Sequence, residues 1–324
     1  MLKYEKIFWR SNINNIAGVD EAGRGPLAGP VVAAAVIFPK DIHLPEVNDS
    51  KKLSEKKREK QYDEILISAK SIGIGIVHEY EIDKINILQA TYKAMKQSIG
   101  RLNIQPDILL IDGNKADIKH YKQKNIINGD QKSLTIAAAS IIAKVTRDKI
   151  MRQYAIIFPN YDFDKHKGYG TKKHLEFIKK YKAVLIHRKS FKPISDYLPN
   201  ITYYKENNLF HTLGLQIVAC KKVRNKYTIL KINYQCSDNQ KVDIISLKNN
   251  IFIFTNIKIR IFNKDSNSID QSKFNLDKSK IISIMLLLNK ELKYDYRLDV
   301  AEVVLKKGTK PLVTISKGNI IKEN

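Results

Sequence analysis

The sequence predicts an α/β protein built from two domains. Over the first two-thirds of the chain, short apolar segments rich in β-branched residues alternate with longer amphipathic segments, a pattern typical of strands connected by helices. After Tyr197 the composition changes: a polar stretch comes first, and a second series of segments rich in β-branched and aromatic residues follows. The length of 324 residues fits two domains, each large enough to bury a core of its own.

We expect four strands in the first domain. Apolar runs at 16–19 and 31–38 bracket a glycine-rich turn, and the segment 71–77 alternates glycine with isoleucine. The run 108–111 is short and fully apolar, which is typical of a buried strand.

Four helices are predicted around these strands. The segment 54–69 begins with a serine followed by an acidic residue, a common helix start. Apolar residues at helical spacing mark 87–102, and the segment 133–158 contains an alanine patch that permits close packing. A shorter amphipathic helix is predicted at 171–182.

The second series of segments predicts another small α/β domain. Its β-branched and aromatic strands are expected at 228–233, 242–247, 251–261 and 298–305, with a helix at 278–292. The polar stretch that opens at Pro199 is interpreted as a linker. The predicted division is therefore 1–198 for the first domain, 199–207 for the linker and 208–324 for the second domain.

The charge of the chain has two possible explanations. There are 57 Lys and Arg against 33 Asp and Glu, a formal net charge of +24. Such an excess favours a polyanionic partner, most often nucleic acid. However, the abundance of Lys, Ile and Asn would also arise by drift in an AT-rich coding sequence. Charge alone does not decide between these two explanations.

The cysteine content and the length of the apolar runs indicate the cellular compartment to expect. The two cysteines, Cys220 and Cys236, cannot build a disulfide framework or a four-ligand zinc site. No apolar run approaches the roughly 20 residues of a membrane-spanning helix, and the first residues lack the apolar region of a secretory signal. The expected location is therefore the cytoplasm, without membrane contact.

Four acidic residues are candidates for catalysis. Asp20 and Glu21 follow a predicted strand, Asp112 ends another, and Asp130 precedes a predicted helix. Adjacent glycines would let the backbone approach a ligand closely. Each carboxylate taken alone could be a helix cap, a turn former or a solvated loop residue. If the four converge, their repulsion requires hard divalent cations such as Mg²⁺ or Mn²⁺.

Six segments of the first domain form a recognisable set of motifs. They are GVDEAGRGPLAGP at 18–30, NDSKKL at 48–53, IDG at 111–113, GD at 129–130, AAASIIAKVTRD at 137–148 and HKGYGT at 166–171. These motifs resemble those of ribonuclease HII. They occur in the family's order between about residues 14 and 197, and together they are highly specific.

This resemblance implies a ribonuclease H-like fold, with a mixed five-stranded sheet and flanking helices. It also implies that Asp20, Glu21, Asp112 and Asp130 hold two metal ions, Mn²⁺ or Mg²⁺, that straddle a scissile phosphate. The implied activity is hydrolysis of the RNA strand of RNA–DNA hybrids and cleavage 5′ of ribonucleotides embedded in duplex DNA. The products would carry a 3′-hydroxyl and a 5′-phosphate. The alternative is a non-catalytic nucleic-acid-binding protein that retains the fold.

The resemblance also implies residues that bind the substrate. The Gly23-Arg24-Gly25 loop would touch the 2′-hydroxyl, which distinguishes RNA from DNA, and Tyr169 would stack on the neighbouring deoxyribose. Ser50 and Lys51 are expected to contact phosphate. Further candidates for phosphate contact are Lys52, Lys144 and Arg147, whereas His166 and His174 are interpreted as structural. The implied partners are nucleic acids alone, with no small-molecule cofactor, and the chain is expected to be a monomer.

The second domain contains the segments ILKIN at 229–233, VDII at 242–245, IFIFTNIKIR at 251–260 and RLDV at 297–300. They resemble motifs of a different family, often called YraN, of the PD-(D/E)xK endonuclease-fold superfamily. The similarity lies mainly in residues 208–305 and keeps Asp243 and Lys258 of the family's motifs. Lys241 and Asn256 replace the two glutamates that the family normally carries. Because the family's chemistry needs Asp and Glu to share a metal, the sequence predicts a degenerate, non-catalytic module that serves DNA contact or packing. An unrelated α/β appendage is the alternative.

Overall fold

The computed structural model describes residues 1–40, 42, 44, 54–114, 116–236, 240–262, 276, 278–289, 295–306 and 308–322. The chain divides into two compact units. The first consists of 1–151, 166–178 and 186–197, and the second consists of 152–165, 179–185 and 198–324. The two units are described separately below.

The sheet of the first unit has five strands and confirms the predicted mixed sheet. In order along the sheet they are β3-β2-β1-β4-β5. The central strand β1 is antiparallel to β2 and parallel to β4, which is in turn parallel to β5. The strands are β1 Ile16–Ala22, β2 Val31–Ile37, β3 Ser71–Val77, β4 Ile108–Asp112 and β5 Gln123–Ile126.

Helices up to residue 197 include the four predicted ones, with changed ends. The helix over 79–99 begins earlier than the predicted 87–102, because a further helical segment precedes the kink at Asn86, which has φ 66°. No helix within the described ranges is long and apolar enough to cross a membrane. The helices are α1 Lys3–Arg10, α2 Glu55–Ser68, α3 Glu79–Ile99, α4 Leu134–Ile157, α5 Phe163–His166 and α6 Lys172–Tyr181.

Both faces of the first sheet are buried, because helices pack on each. Along β2, alternate residues belong to two different apolar clusters, one that includes residues of α3 and one that includes α2 and α4. Close approach depends on glycine in the strands. A Cβ at Gly18 would lie 2.1 Å from the carbonyl carbon of Thr135, at the start of α4. The beginning of α4 is thereby held directly against β1, two residues before Asp20.

The second unit has its own five-stranded sheet, in the order β10-β9-β8-β7-β6. The strands β6, β7 and β8 are consecutive and antiparallel, whereas β9 is parallel to β8 and β10 is antiparallel to β9. The elements are α7 Ile201–Glu206, α8 Phe210–Arg224, β6 Thr228–Gln235, β7 Lys241–Lys248, β8 Ile251–Phe262, α9 Lys278–Asn289, β9 Asp295–Lys306 and β10 Leu312–Lys317.

Several elements differ from the sequence-based expectation. The stretch 199–207, interpreted as an irregular linker, contains α7, whose start is capped by the Asn200 side chain accepting from the Tyr203 amide. The strand β5 was missed because it is only four residues long and has a single buried residue, so it carries no apolar pattern. The elements α1, α8 and β10 were also missed. The predicted boundaries at 198 and 208 remain predictions.

Candidate active site

Two of the four predicted acids lie side by side because of the strand pairing. The parallel register of β1 and β4 pairs Val19 with Ile111. Asp20 and Asp112 are the next residue on each strand, so both follow the last paired position at the same edge of the sheet. Asp20 is only 5% exposed. Glu21, the next residue on β1, is partly buried.

A short 3-10 turn brings the fourth acid to the same place. The turn Gly129–Gln131 precedes α4 and contains Asp130, which is 2% exposed. The Gly129 amide donates to Oδ1 of Asp112 over 2.7 Å. A Cβ at Gly129 would lie 2.6 Å from Cδ1 of Ile136, so a larger residue would push the turn away. This hydrogen bond ties the turn to the end of β4.

The four carboxylates share one electrostatic environment. Burial, and then the charges of Glu21, Asp112 and Asp130, raise the pKa of Asp20 well above its ordinary value, although the Glu21 amide opposes this by donating to its Oδ1. Burial also raises the pKa of Glu21, against the opposing charge of Arg24 at 3.3 Å. The structure therefore brings all four predicted acids near one another, where the charges of Glu21, Asp112 and Asp130 disfavour ionisation of Asp20.

This donor set fits hard divalent cations. All of its ligand atoms are carboxylate oxygens, which Mg²⁺ and Mn²⁺ prefer. As the side chains are arranged in the described ranges, no group of three or more His, Cys, Asp or Glu could hold a metal ion. Mg²⁺ is commonly bound by only one or two carboxylates together with water and substrate phosphate oxygens, rather than by an all-protein cage. The arrangement is compatible with ions that bind along with a phosphate.

Two buried arginines, neither of them predicted as structural, hold the glycine-rich loop that follows β1. Arg188 is fully buried, and its guanidinium donates to the carbonyl oxygens of Gly23, Arg24 and Gly29. Burial lowers the pKa of Arg188 to about 9, so it stays cationic at neutral pH. Because one rigid guanidinium serves three carbonyls, the loop backbone is fixed in a single shape.

Arg147 holds the other end of the loop. Its guanidinium donates to the carbonyl oxygens of Ala28, Pro30 and Lys167 over 2.9 to 3.0 Å. Gly23 has φ +97°, and a Cβ there would lie 2.1 Å from Nε of Arg147, so the loop requires glycine at this position.

The expectation that Arg147 contacts phosphate is therefore wrong. Arg147 is only 1% exposed, and its guanidinium donates to three backbone carbonyls. The helix that contains Arg147 has apolar residues on several sides, so the sequence pattern did not indicate that this arginine is buried. Lys144 forms an ion pair with Asp148 at 2.7 Å and is partly exposed, so its contact with phosphate stays a prediction.

Tyr169 lies beside the same loop. Its side chain is 45% exposed, and a Cβ at Gly25 would lie 3.9 Å from its Cε1. The guanidinium of Arg147 lies 5.9 Å from the centre of the tyrosine ring. Arg24 is also exposed, with 54% of its side chain accessible. The structure thus brings together the predicted substrate-binding residues Gly23, Arg24, Gly25 and Tyr169, whereas Ser50, Lys51 and Lys52 lie outside the described residues.

A stack of histidines supports the backbone of Tyr169. Nδ1 of His174 lies 2.8 Å from the Tyr169 carbonyl oxygen, and its Nε2 lies 3.0 Å from Nε2 of His187. The rings of His166 and His174 stack with centroids 4.2 Å apart. Burial, together with the nearby His166, lowers the pKa of His174 to about 4. A neutral His174 can donate from Nδ1 to the carbonyl, which agrees with the structural role expected from the sequence.

The second unit has an acidic residue with very different neighbours. Oδ2 of Asp243, on β7, accepts a 2.8 Å hydrogen bond from the Ile257 amide, and Oδ1 lies 3.3 Å from His211 and 3.6 Å from Lys241. Burial acts to raise the pKa of Asp243, but His211, the Ile257 amide and Lys241 outweigh it, so the pKa is below its ordinary value. The Asn256 side chain accepts from the Asp243 amide.

The first unit has the features of a metal-dependent phosphodiester hydrolase: buried, mutually repelling carboxylates at one edge of a mixed sheet, beside a rigid loop. Residues 17–194 match the family described as Ribonuclease HII. The chain therefore belongs to the ribonuclease HII family and is a ribonuclease H, an endoribonuclease of a family that acts on RNA–DNA hybrids and depends on divalent metal.

Two relatives, compared by sequence, agree with this assignment. The chain is similar to ribonuclease HII of Acetivibrio thermocellus, with 57% identity over 191 residues that cover 59% of this chain and 75% of the relative. It is 52% identical to ribonuclease HII of Endomicrobium trichonymphae, covering 60% of this chain and 94% of the relative. The crystal structure of the ribonuclease H2 from Pyrococcus horikoshii is 25% identical with a TM-score of 0.48, covering 56% of this chain and 96% of its own.

Proposed function

We propose that this ribonuclease H hydrolyses the RNA strand of RNA–DNA hybrids and also cuts 5′ of single ribonucleotides embedded in duplex DNA. Water would displace the 3′ oxygen in line, leaving a 3′-hydroxyl and a 5′-phosphate. The observation that carries this proposal is the cluster of Asp20, Glu21, Asp112 and Asp130, in which the neighbouring carboxylates add to burial in raising the pKa of Asp20.

In this proposal the four carboxylates are the ligands of two divalent ions, Mg²⁺ or Mn²⁺. When bound, the ions would activate the attacking water and stabilise the charge on the leaving oxygen. The protein itself contributes position. The hydrogen bond from the Gly129 amide orients Asp112, and the pairing of β1 with β4 sets the spacing of Asp20 and Asp112.

Recognition of the ribonucleotide is assigned to the loop at Gly23–Gly25 and to Tyr169. Backbone groups of a rigid loop can distinguish a 2′-hydroxyl from hydrogen only if the loop does not adjust, and Arg147 and Arg188 supply that rigidity. The exposed ring of Tyr169, beside Gly25, offers a face on which a sugar can pack.

The second unit is proposed to be a nuclease-like module without catalytic activity. The support is its succession of a helix, three antiparallel strands, a helix and a parallel strand, together with the histidine and lysine side chains that lie next to Asp243. A divalent ion at Asp243 would be repelled by Lys241 and would find a neutral amide at Asn256.

The decisive experiment offers a DNA duplex with one internal ribonucleotide to the full chain, with Mg²⁺ or Mn²⁺ and then with chelator. We expect a cut 5′ of the ribonucleotide that requires metal, and no cut in the matched all-DNA duplex. A continuous RNA–DNA hybrid is the positive control. Cleavage of the hybrid but not of the single-ribonucleotide duplex would reject the proposed junction activity. Absence of both cuts would favour the non-catalytic alternative.

A further inference from the structure

The second unit contains a small cavity that the cleavage chemistry does not use. Its volume is about 190 Å³, and it is lined by residues within 160–161, 181–184, 199–204 and 209–216. It is therefore large enough for one planar ring system but smaller than a typical drug-sized pocket.

Four tyrosines dominate the wall of this cavity: Tyr161, Tyr181, Tyr203 and Tyr204. Burial, and then the neighbouring Tyr203, Tyr204 and Tyr181, raise the pKa of Tyr161 above its usual range. Burial also raises the pKa of Tyr204, to about 12. The rings of Tyr203 and Tyr204 are close to perpendicular, with centroids 5.7 Å apart. The cavity thus presents ring faces together with neutral hydroxyl donors.

Two amide side chains, those of Asn160 and Gln216, complete the polar part of the wall. Within the part of the chain that the structure describes, neither amide has a hydrogen-bond partner, and neither do the hydroxyls of Tyr203 and Tyr204. The Tyr161 hydroxyl, in contrast, donates to the carbonyls of Tyr181 and Lys182. The free groups include both donors and acceptors, which is what the edge of a heterocyclic base requires.

The charge of the residues that line the cavity indicates which ligands could bind there. None of the described residues that line it is charged. Phosphate is bound in proteins by cations or by several amide donors, so it is a poor occupant here. An uncharged, planar ring with polar edges would instead use both the tyrosine faces and the unpartnered amides.

We propose that this cavity is a binding site for a single nucleobase, separate from the site of cleavage. The base could come from a free nucleoside or from an unpaired nucleotide in a strand. The proposal depends on the cavity and not on cleavage: it would stand if the cutting position differed from the one proposed above.

The test is saturation-transfer NMR on the full chain with adenosine, guanosine, cytidine, uridine and ribose. We expect transfer to at least one nucleoside, with dissociation constants of about 1 mM or below, and none to ribose. A single-stranded hexaribonucleotide forms a second arm: a strand that binds while free nucleosides do not would assign the site to a base within a strand.

Substitutions of residues that line the cavity test whether the nucleoside binds there. Gln216→Leu and Tyr204→Phe should each weaken binding about three- to tenfold, since each removes one polar partner. Tyr234→Phe, which lies in another apolar cluster, should not change it. Thermal melting verifies that each variant is folded, and cleavage of the hybrid should be unchanged in all three.

Transfer to none of the nucleosides and not to the strand would overturn the proposal. So would binding that is equally tight in wild type, Gln216→Leu and Tyr204→Phe. Loss of hybrid cleavage without loss of nucleoside binding would count against the proposed catalytic function alone.

Discussion

Asp20 in the first unit and Asp243 in the second are both buried carboxylates near the end of a strand, 5% exposed in each case. Their neighbours differ in sign. Asp20 is surrounded by Glu21, Asp112 and Asp130, and its pKa is raised. Asp243 is paired with His211 and Lys241, and its pKa is lowered.

This difference indicates which buried carboxylate could bind a metal ion and which one stabilises the fold. A cluster that carries uncompensated charge costs folding free energy, and that cost is recovered when an external cation binds. A carboxylate that is already held by protein groups gains less from a metal ion. The first unit therefore has carboxylates that repel one another, and the second has a carboxylate held by a lysine, a histidine and a backbone amide.

The largest expected difference between the two sites is in the rate of cleavage. We expect Asp112→Asn to lower kcat by a factor on the order of 10³, because several kcal/mol of charge stabilisation would be lost and each 1.4 kcal/mol is about tenfold. Binding of the hybrid should be kept, since phosphate contacts are untouched. Single-turnover kinetics with excess enzyme measures the first quantity and a filter-binding assay the second.

The matched control for that prediction is Asp243→Asn, which should leave kcat within about twofold of wild type. Cleavage of RNA or of duplex DNA that persists in Asp112→Asn but disappears in Asp243→Asn would mean that the second unit is itself a nuclease, contrary to the proposal.

An intermediate effect is expected at the arginines that hold the loop. Arg188→Lys should lower the free energy of unfolding by about 2 kcal/mol, since a lysine cannot serve the three carbonyls and leaves at least one buried and unpaired. It should also reduce the preference for a ribonucleotide over a deoxyribonucleotide, measured as a ratio of kcat/KM values. Arg24→Lys is the control for stability: this exposed arginine forms only a surface ion pair, and we expect a change of less than about 1 kcal/mol.

The smallest expected effect is on the free energy of unfolding, which the two substitutions should change in opposite directions. At pH 7 and without metal, Asp20→Asn should stabilise the chain by about 1 kcal/mol, because it removes a repelled charge, whereas Asp243→Asn should destabilise it by a similar amount. As pH falls through the acid range, a raised pKa means that Asp20 takes up its proton first, so the gain from Asp20→Asn should shrink.

The stabilisation from Asp243, whose pKa is lowered, is present above the unfolded-state pKa and is lost as pH falls below it. Urea unfolding at several pH values, in chelator, measures both variants. Stabilisation by both substitutions, or destabilisation by both, would contradict the contrast between the two sites.

Much of the fold was predictable because the determining interactions are local. Strand β3 matches its predicted span, and β1, β2 and β4 lie within a few residues of theirs, since each carries a continuous apolar or alternating pattern. The elements β5 and α7 were not predictable in this way. One is a short edge strand with one buried residue, and the other begins at a single capping asparagine.

The sequence by itself determined the motifs, and through them the family and the identity of the four acids. Tertiary structure alone decided what the charged residues do, because charge and spacing say nothing about which partner lies nearby in space. Arg147 reads as a phosphate ligand in the sequence, yet it is buried against loop carbonyls. Repulsion among Asp20, Asp112 and Asp130 likewise exists only after strand pairing and the turn at Gly129 have brought them together from three distant places in the chain.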